Sequence, residues 1–267
     1  RPAPPPALVG RDGLLATLRA ELGAGRSVAL VGRGGVGKSA LGAAVAEGWA
    51  SGPRFWYTFR PGLSDRLEGL LFTLGRFLHA QGASALWHQL VAEQGRQPDG
   101  ALALGLALAD LRALPATPLL CFDELDLLRP DDADQARPAH TQILAFLEGL
   151  RGHAPLLLIG QRAFWASDAI VTAGELTHAD LARWLELLGI PHLPADVGHL
   201  HDYTAGNPRL AELCVALFQA GAHGSFAAAL EQLPSSHALL PVWMRLERGR
   251  PLAERRLLGA LAVCRTP

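Results

Sequence analysis

Short apolar runs alternate with helical periodicity along the first two thirds of the chain. Five runs have the length and residue types of strands, and they lie at residues 27–31, 55–59, 119–122, 156–160 and, more weakly, 169–172. Between these runs, apolar residues recur at helical spacing over residues 37–50, several stretches of 64–114, and 140–151. Strands that are apolar on both faces and separated by helices indicate a parallel sheet covered on both sides. The pattern therefore predicts an α/β domain with five parallel strands.

The last third of the chain shows only helical patterns. They cover residues 177–188, 194–204, 207–220, 225–233 and 252–264. We therefore expect the α/β domain to end at residue 173 and an all-α domain to follow. Four prolines among the first six residues predict a stiff linker over residues 1–7, which places the α/β domain at 8–173. The proline-rich start, and an end that follows directly on an apolar helical pattern, suggest a segment of a longer multidomain protein.

The composition narrows the function classes. With 267 residues, 49% of them hydrophobic, the chain can bury a sizeable core. The net charge is −1 and the arginines are scattered, so nucleic-acid binding is not favoured. The three cysteines have no C-x-x-C spacing and the ten histidines no ligand spacing, so no metal chemistry is assigned to them. The most apolar stretch falls short of the roughly 20 residues that span a bilayer. We expect a cytoplasmic protein without a membrane segment.

A glycine-rich loop follows the first predicted strand and opens a helical pattern. Residues 32–39, GRGGVGKS, fit the phosphate-loop pattern G-x-x-x-x-G-K-[ST] in the strand-to-helix context that the pattern requires. Lys38 in this loop is the only lysine of the chain, which otherwise uses arginine for its basic side chains. A lysine ammonium is a compact charge on a long stem, suited to reach phosphate oxygens. The expected phosphate-binding residues are Gly34, Gly35, Val36, Gly37, Lys38, Ser39 and Ala40, and the Ser39 hydroxyl is expected to bind Mg²⁺.

A second motif, LLCFDELD, places two carboxylates directly after a buried strand. Asp123 and Glu124 should therefore lie at the carboxyl end of the sheet, where ligands of open α/β sheets bind. We expect Asp123 to assist in binding Mg²⁺ and Glu124 to orient and deprotonate an attacking water. An acidic turn that only caps the next helix is the alternative.

The order of the strands points to a branch of the phosphate-loop proteins. The run FWYTF intervenes between the phosphate-loop strand and the acidic strand, and we expect an additional strand between these two in the sheet. This arrangement, with a glutamate after the aspartate, resembles the AAA+ ATPases and their relatives. The guanine motif N-K-x-D cannot occur, because the single lysine lies at position 38.

Further motifs resemble the STAND ATPases, the class that includes NB-ARC and NACHT proteins. LVGRDGLLATL resembles their opening V-G-R-[ED] motif, and Asp126 in DELD matches their second acidic position. LLLIGQR places Arg162 after the fourth strand, at the position of the family's first sensor. TAGNPRL, residues 204–210, resembles the G-x-P motif of the helical lid. The resemblance covers essentially the whole chain. The order and spacing of these weak motifs together are more specific than any one of them.

The resemblance implies roles for particular residues. Leu8, Val9 and Arg11 would contribute to the adenine pocket, and Pro208 would pack against the base. Arg162 would sense the γ-phosphate, although Gln161 replaces the usual serine or threonine beside it. Arg209 departs from the usual aliphatic residue and is similar to the second sensor arginine of AAA+ lids. The alternative for Arg209 is a solvent-exposed position in the first turn of its helix.

The resemblance also implies an architecture and a function. The helical lid would occupy residues 174–234, and residues 235–267 would begin a winged-helix domain. The chain would be a switch that binds ATP or ADP with Mg²⁺, hydrolyses ATP slowly, opens its lid and forms homo-oligomers. An upstream effector and a downstream sensor would be its partners in the full protein. The alternatives are a remodelling motor of the AAA+ or helicase kind, and a nucleotide-binding scaffold without hydrolysis.

Overall fold

The structure, a computed structural model, describes residues 8–94, 99–128 and 138–220, together with Phe226 and Ala228. The chain divides into two compact units. The first consists of residues 13–32 and 38–173. The second consists of residues 174 onward, together with residues 8–12 and the loop residues 33–37.

A five-stranded parallel sheet forms the centre of the first unit. Its strands are β1 Ser27–Val31, β2 Arg54–Thr58, β3 Leu119–Asp123, β4 Leu156–Ile159 and β5 Ala169–Thr172. Their order in the sheet is β2-β3-β4-β1-β5, and each neighbouring pair is parallel. The five predicted strands are confirmed within one residue at their ends.

The predicted additional strand between β1 and β3 is confirmed, and it is β4. The intervening run FWYTF instead forms β2, which lies at the edge of the sheet beyond β3. Chain order therefore does not give sheet order, because each parallel connection crosses over a face of the sheet and can skip a neighbouring position.

One helix precedes β1, and further helices lie in the connections from β1 to β4. They are α1 Asp12–Gly23, α2 Lys38–Glu47, α3 Leu67–Ala80, α4 Ala85–Ala92, α5 Gly100–Ala113 and α6 Pro138–Leu150, with a 3₁₀ turn at Leu125–Leu128. Helix α1 was not among the predicted helical ranges; its apolar residues Leu15, Leu18 and Leu22 are buried.

Both faces of the sheet are covered, as the apolar strands predicted. Leu156 and Leu158 of β4 belong to a core that includes residues of α3, α5 and α6. The alternate residues Leu157 and Ile159 lie beside Gly42 of α2, where an added Cβ would meet their side chains. Since successive side chains of a strand point to opposite faces, helices pack on both. This confirms the predicted α/β sheet with helices on each side.

The second unit is helical. It contains α7 His178–Leu187, α8 Pro194–Thr204 and α9 Pro208–Ala220, which share a core of their own. A capping box fixes the start of α7, in which the Thr177 hydroxyl accepts the N–H of Asp180 and the Asp180 carboxylate accepts the N–H of Thr177. The predicted helix at 225–233 falls almost entirely outside the described residues, as do the helix at 252–264 and the winged-helix region at 235–267.

None of the helices described has the length and apolar character needed to cross a membrane.

Candidate functional site

The phosphate loop connects β1 to the first residue of α2. Gly35 and Gly37 have backbone φ angles of 83° and 92°, which residues with a Cβ atom rarely adopt. Lys38 begins α2, so its backbone and that of Ser39 lie at the positive end of the helix dipole. Of the other predicted phosphate-binding residues, Val36 is buried, Gly34 is exposed, and Ala40 is half-buried in α2.

The Lys38 ammonium lies in a half-buried, acidic environment within the first unit. Its Nζ donates a hydrogen bond to the carbonyl oxygen of Gly32 at 2.9 Å. Burial lowers the pKa of Lys38, and the nearby carboxylates of Asp126, Glu124 and Asp123 raise it. The sole lysine and all three carboxylates of the DELD motif thus share one electrostatic environment.

Asp123 ends β3 and turns its carboxylate toward the start of α2. Its side chain is buried, and Oδ1 accepts the Ser39 hydroxyl at 3.2 Å and the backbone N–H of Glu124 at 3.0 Å. The pKa of Asp123 is raised to about 6 from an ordinary value of 3.8, mainly by burial. The Ser39 hydrogen bond lowers this pKa, the Glu124 charge raises it, and the Glu124 backbone hydrogen bond and the Lys38 charge lower it. Ionisation of Asp123 therefore lowers the stability of the folded protein.

A substitution that removes the charge of Asp123 should therefore stabilise the nucleotide-free, EDTA-treated protein. Because the folded pKa exceeds the unfolded one, the wild type loses stability as pH rises from 3.8 through about 6. Asp123→Asn keeps an oxygen that can accept both hydrogen bonds and removes the charge. We expect it to raise the free energy of unfolding at pH 7.5 by about 1 to 3 kcal/mol, and by about half as much at pH 5. Urea unfolding at both pH values measures this difference.

Asp110→Asn is the matched control. Asp110 is also buried, but its two oxygens each accept a backbone N–H, from Ala85 and Leu86. An amide NH₂ would face one of these donors, so Asp110→Asn should lower stability at both pH values. A loss of stability in Asp123→Asn that is equal at pH 5 and pH 7.5 would contradict the prediction.

Glu124 follows β3 in an unusual backbone conformation. Its φ is 62°, in the left-handed region that non-glycine residues seldom occupy, and its side chain is exposed. Strained backbone of this kind occurs preferentially at functional sites. The left-handed turn separates the exposed Glu124 side chain from the buried Asp123 side chain, so the two carboxylates that adjoin in sequence have different environments.

Asp126 connects the acidic motif to the end of β4. Its carboxylate accepts the backbone N–H of Gln161 at 2.5 Å and that of Arg162 at 3.3 Å. The Arg162 side chain itself is exposed. Sequence reasoning noted Asp126 only as a family match, and the structure gives it a physical task, since it fixes the backbone from which the predicted sensor arginine extends.

In the second unit, Arg11 is nearly fully buried. Its Nη2 donates to the carbonyl oxygen of Val36 at 3.2 Å, which ties the V-G-R motif to the phosphate loop. Burial lowers the pKa of Arg11, while the charges of Asp180 and Glu175 raise it. Leu8 and Val9 are half-buried beside it in sequence. A buried arginine with this contact fits a positioning role for the loop.

Asn207 is a functional candidate to which sequence reasoning gave no role. Its Nδ2 donates to the carbonyl oxygen of Gly34 at 2.9 Å, and its Oδ1 accepts the N–H of Arg209, in the first turn of α9. A Cβ on Gly35 would collide with the Asn207 amide. The signal in the sequence is its place within the lid-like motif GNP, in which the family pattern G-x-P specifies only the glycine and the proline.

Pro208 and Arg209 begin α9. The Pro208 ring is half-buried, and the Arg209 backbone N–H donates to the carbonyl oxygen of Gly35 at 3.2 Å. The Arg209 guanidinium is exposed and pairs with Glu212 one turn along the same helix, at 2.9 Å. The structure therefore brings the Arg209 backbone to the phosphate loop and directs its side chain to Glu212.

Replacing Asn207 should destabilise the second unit. Asn207→Ala removes the cap of α9 and the donor to Gly34, so we expect a loss of about 1 to 2 kcal/mol in the free energy of unfolding, measured with urea. Asn207→Asp retains an oxygen for the cap but replaces the NH₂ donor by an acceptor, and it should recover only part of the loss. An alanine variant as stable as wild type would show that these hydrogen bonds contribute nothing.

Comparison with known proteins gives a likeness in structure only. No protein-family model and no curated protein matches the sequence. A STAND protein (signal transduction ATPase with numerous domains) with a tetratricopeptide repeat sensor, from Pyrococcus horikoshii, matches with a TM-score of 0.66 and 16% identity. The match covers 99% of this chain and 36% of that protein, so this chain spans about a third of its length.

Two proteins of Aeropyrum pernix match with lower scores. The ORC2 protein, solved in ADPNP and ADP complexes, has a TM-score of 0.55 and 16% identity, over 92% of this chain and 69% of that one. The ORC1 protein, solved in complex with DNA, has a TM-score of 0.54 and 15% identity, over 97% and 73%. At such identities the likeness shows the fold: this chain has the α/β fold of P-loop ATPases of the STAND and AAA+ class, as its motifs predicted.

Proposed function

We propose that this chain is an ATP-binding, slowly hydrolysing switch module, which couples its ADP or ATP state to lid opening and homo-oligomerisation. The observation that carries the proposal is the 3.2 Å contact between the Ser39 hydroxyl and the Asp123 carboxylate. It joins the phosphate-loop helix to the acidic strand end, beside the only lysine of the chain. Hydroxyl, carboxylate and ammonium groups so arranged are suited to a nucleotide triphosphate with its metal.

The residues fit Mg²⁺. Asp123 is a buried carboxylate whose charge is held at a cost, and a hard cation with oxygen ligands would offset that cost. In this proposal Ser39 binds the ion directly, and Asp123 binds it through a water or supports the groups that do. When bound, Mg²⁺ neutralises charge on the phosphate oxygens.

The remaining polar groups receive roles in phosphate binding and hydrolysis. Lys38 holds the β- and γ-phosphates, and the exposed Glu124 carboxylate orients and deprotonates the attacking water. Arg162 pairs with the γ-phosphate before hydrolysis and loses that partner afterward. The support for this arrangement is that Lys38 and the DELD carboxylates share one environment, and that Asp126 binds the backbone at Arg162.

Leu8, Val9, Arg11 and Pro208 are proposed to form the adenine side of the site. The support is the buried contact of Arg11 with Val36 in the loop. Arg209 would act on the γ-phosphate only after releasing Glu212, since the two are paired at 2.9 Å. The proposed role of Arg209 is therefore conditional on a change of rotamer when ATP binds.

The partners of the whole protein are part of the proposal. Effector and sensor domains in the full protein are proposed from the resemblance to STAND proteins. A cytoplasmic location is proposed because three sparse cysteines without C-x-x-C spacing suit a reducing compartment. DNA is named for the Aeropyrum pernix ORC1 protein. We do not propose DNA binding for this chain, because its 23 arginines and one lysine form no basic run and its net charge is −1.

The experiment has two readouts. Denaturing the purified protein and identifying the released nucleotide by chromatography tests for bound adenine nucleotide. Light scattering in ADP, in ATP and in a non-hydrolysable ATP analogue then tests the switch, which predicts assembly only with the triphosphates. An ATPase whose mass and turnover are the same in all states would contradict the switch, and turnover stimulated by DNA, RNA or unfolded polypeptide would favour a motor instead.

A further inference from the structure

We propose that the helical unit contains a site for Zn²⁺ or a similar transition metal, formed by His178, His201 and Asp202. Each of these residues offers one donor atom, and the three donor atoms lie within 4.8 Å of one another. Among the described residues, no other three histidine, cysteine, aspartate or glutamate side chains meet this condition. The imidazole rings of His178 and His201 are stacked, with centroids 3.8 Å apart and planes inclined by 22°. All three residues belong to the second unit.

The backbone already holds the three donors near one another. His178 is the first residue of α7, directly after the Thr177 capping box, and the other two residues lie in the last turn of α8. Leu181 of α7 and Leu200 of α8 are both fully buried in the core that the two helices share. Since helix ends and core are fixed, metal binding requires only side-chain rotation, at a modest cost in entropy.

The donor set indicates the chemical class of the ligand. Two imidazole nitrogens and one carboxylate oxygen suit Zn²⁺, Co²⁺, Ni²⁺ or Cu²⁺, whereas Mg²⁺ prefers oxygen ligands. Three protein ligands leave a fourth tetrahedral position for water. The donor atoms are separated by up to 4.8 Å, and a bound ion would require shorter separations. Because the side chains of His178 and Asp202 are exposed, they can rotate to bring the donor atoms closer together.

The location gives the site a consequence. Bound metal would join the start of α7 to the end of α8, four residues before Gly206 and the turn into α9. Because the metal binds the folded arrangement and not the unfolded chain, it raises the thermal stability of the helical unit. Histidine spacing in the sequence gave no sign of this site, since His178 and His201 are 23 positions apart and lie on different helices.

Zinc titration tests the proposal independently of nucleotide. EDTA-treated, nucleotide-free protein is titrated with Zn²⁺ in competition with a chromophoric chelator, and we expect one tight equivalent that raises the melting temperature. His178→Ala and His201→Ala should each weaken that equivalent at least tenfold. His199→Ala is the matched control, because His199 is an exposed histidine on the same helix α8 outside the group. It should bind Zn²⁺ as wild type does.

The folding of each variant is checked by its melting temperature in EDTA, which should equal that of wild type. His201 is half-buried, so His201→Ala could lower the stability of the fold. In that case the double variant His178→Ala/Asp202→Asn, in which both changed residues are exposed, is used for the same titration. Co²⁺ gives a second readout, as a tetrahedral site produces a d–d absorption that the variants should lose. A wild type that binds no Zn²⁺, or a His178→Ala/Asp202→Asn double variant that binds it with unchanged affinity, overturns the proposal.

Discussion

Lys38→Ala will lower the affinity for ATP at least about 100-fold, or about 2.7 kcal/mol. The substitution removes the only ammonium of the chain from a loop in which its Nζ lies 2.9 Å from the Gly32 carbonyl oxygen. Hydrogen bonds to charged groups contribute about 1.5 to 3 kcal/mol each, and Lys38 is expected to make more than one to the triphosphate. Isothermal titration of nucleotide-free protein with ATP and Mg²⁺ measures the loss.

Two further variants separate charge from shape. Arg33→Ala removes a cation from the same loop, but the Arg33 side chain is 75% exposed, and we expect its affinity to stay within about threefold of wild type. Lys38→Arg keeps the charge but introduces a planar guanidinium, and it should remain at least about tenfold weaker than wild type. Wild-type affinity in Lys38→Ala would remove the basis of the proposed function.

Glu124→Gln will lower the rate of ATP hydrolysis by about 10² to 10⁴-fold while ATP binding is retained. Glutamine has the same shape as glutamate but cannot accept a proton from the attacking water. The exposed side chain makes few contacts that could affect folding, and the left-handed backbone at φ 62° is available to both residues alike. Single-turnover hydrolysis measures the rate, and chromatography of the released nucleotide should recover ATP rather than ADP.

Glu47→Gln is the control for this loss. Glu47 is an exposed glutamate at the far end of α2, and its replacement should leave hydrolysis unchanged. If Glu124→Gln protein hydrolyses ATP as fast as wild type, the chain is a nucleotide-binding scaffold in which Glu124 has no catalytic part. Together with Lys38→Ala, the variant therefore separates a failure of binding from a failure of chemistry.

The site became clear from the sequence only where its residues are close in the chain. The phosphate loop is eight consecutive residues, and its glycines, its lysine and its place after an apolar strand can all be recognised locally. The acidic motif is likewise contiguous. By contrast, the contacts of Asp126 with Gln161 and of Asn207 with Gly34 join residues 35 and 173 positions apart. No local pattern distinguishes these polar residues from ordinary turn or cap residues.

The left-handed conformation of Glu124 illustrates the same limit. Glycine, asparagine or aspartate would have suggested a positive φ in the sequence, and glutamate does not. The surroundings impose this conformation, since Asp123 lies within the parallel sheet and the 3₁₀ turn begins at Leu125. The resulting difference between a buried Asp123 and an exposed Glu124 could therefore not be predicted from the motif.

The sequence by itself determined the parallel α/β sheet, its five strands, the three helices described between residues 178 and 220, and the positions of the phosphate loop and acidic motif. These features depend on burial patterns and local motifs, which are properties of neighbouring residues. Tertiary structure alone decided that β4 separates β1 from β3, that Asn207 contacts the loop, and that His178 meets His201. Those outcomes depend on which surfaces bury one another after the chain crosses over, and hydrophobic burial is non-directional. The apolar pattern therefore specifies what is buried, and packing selects the partners.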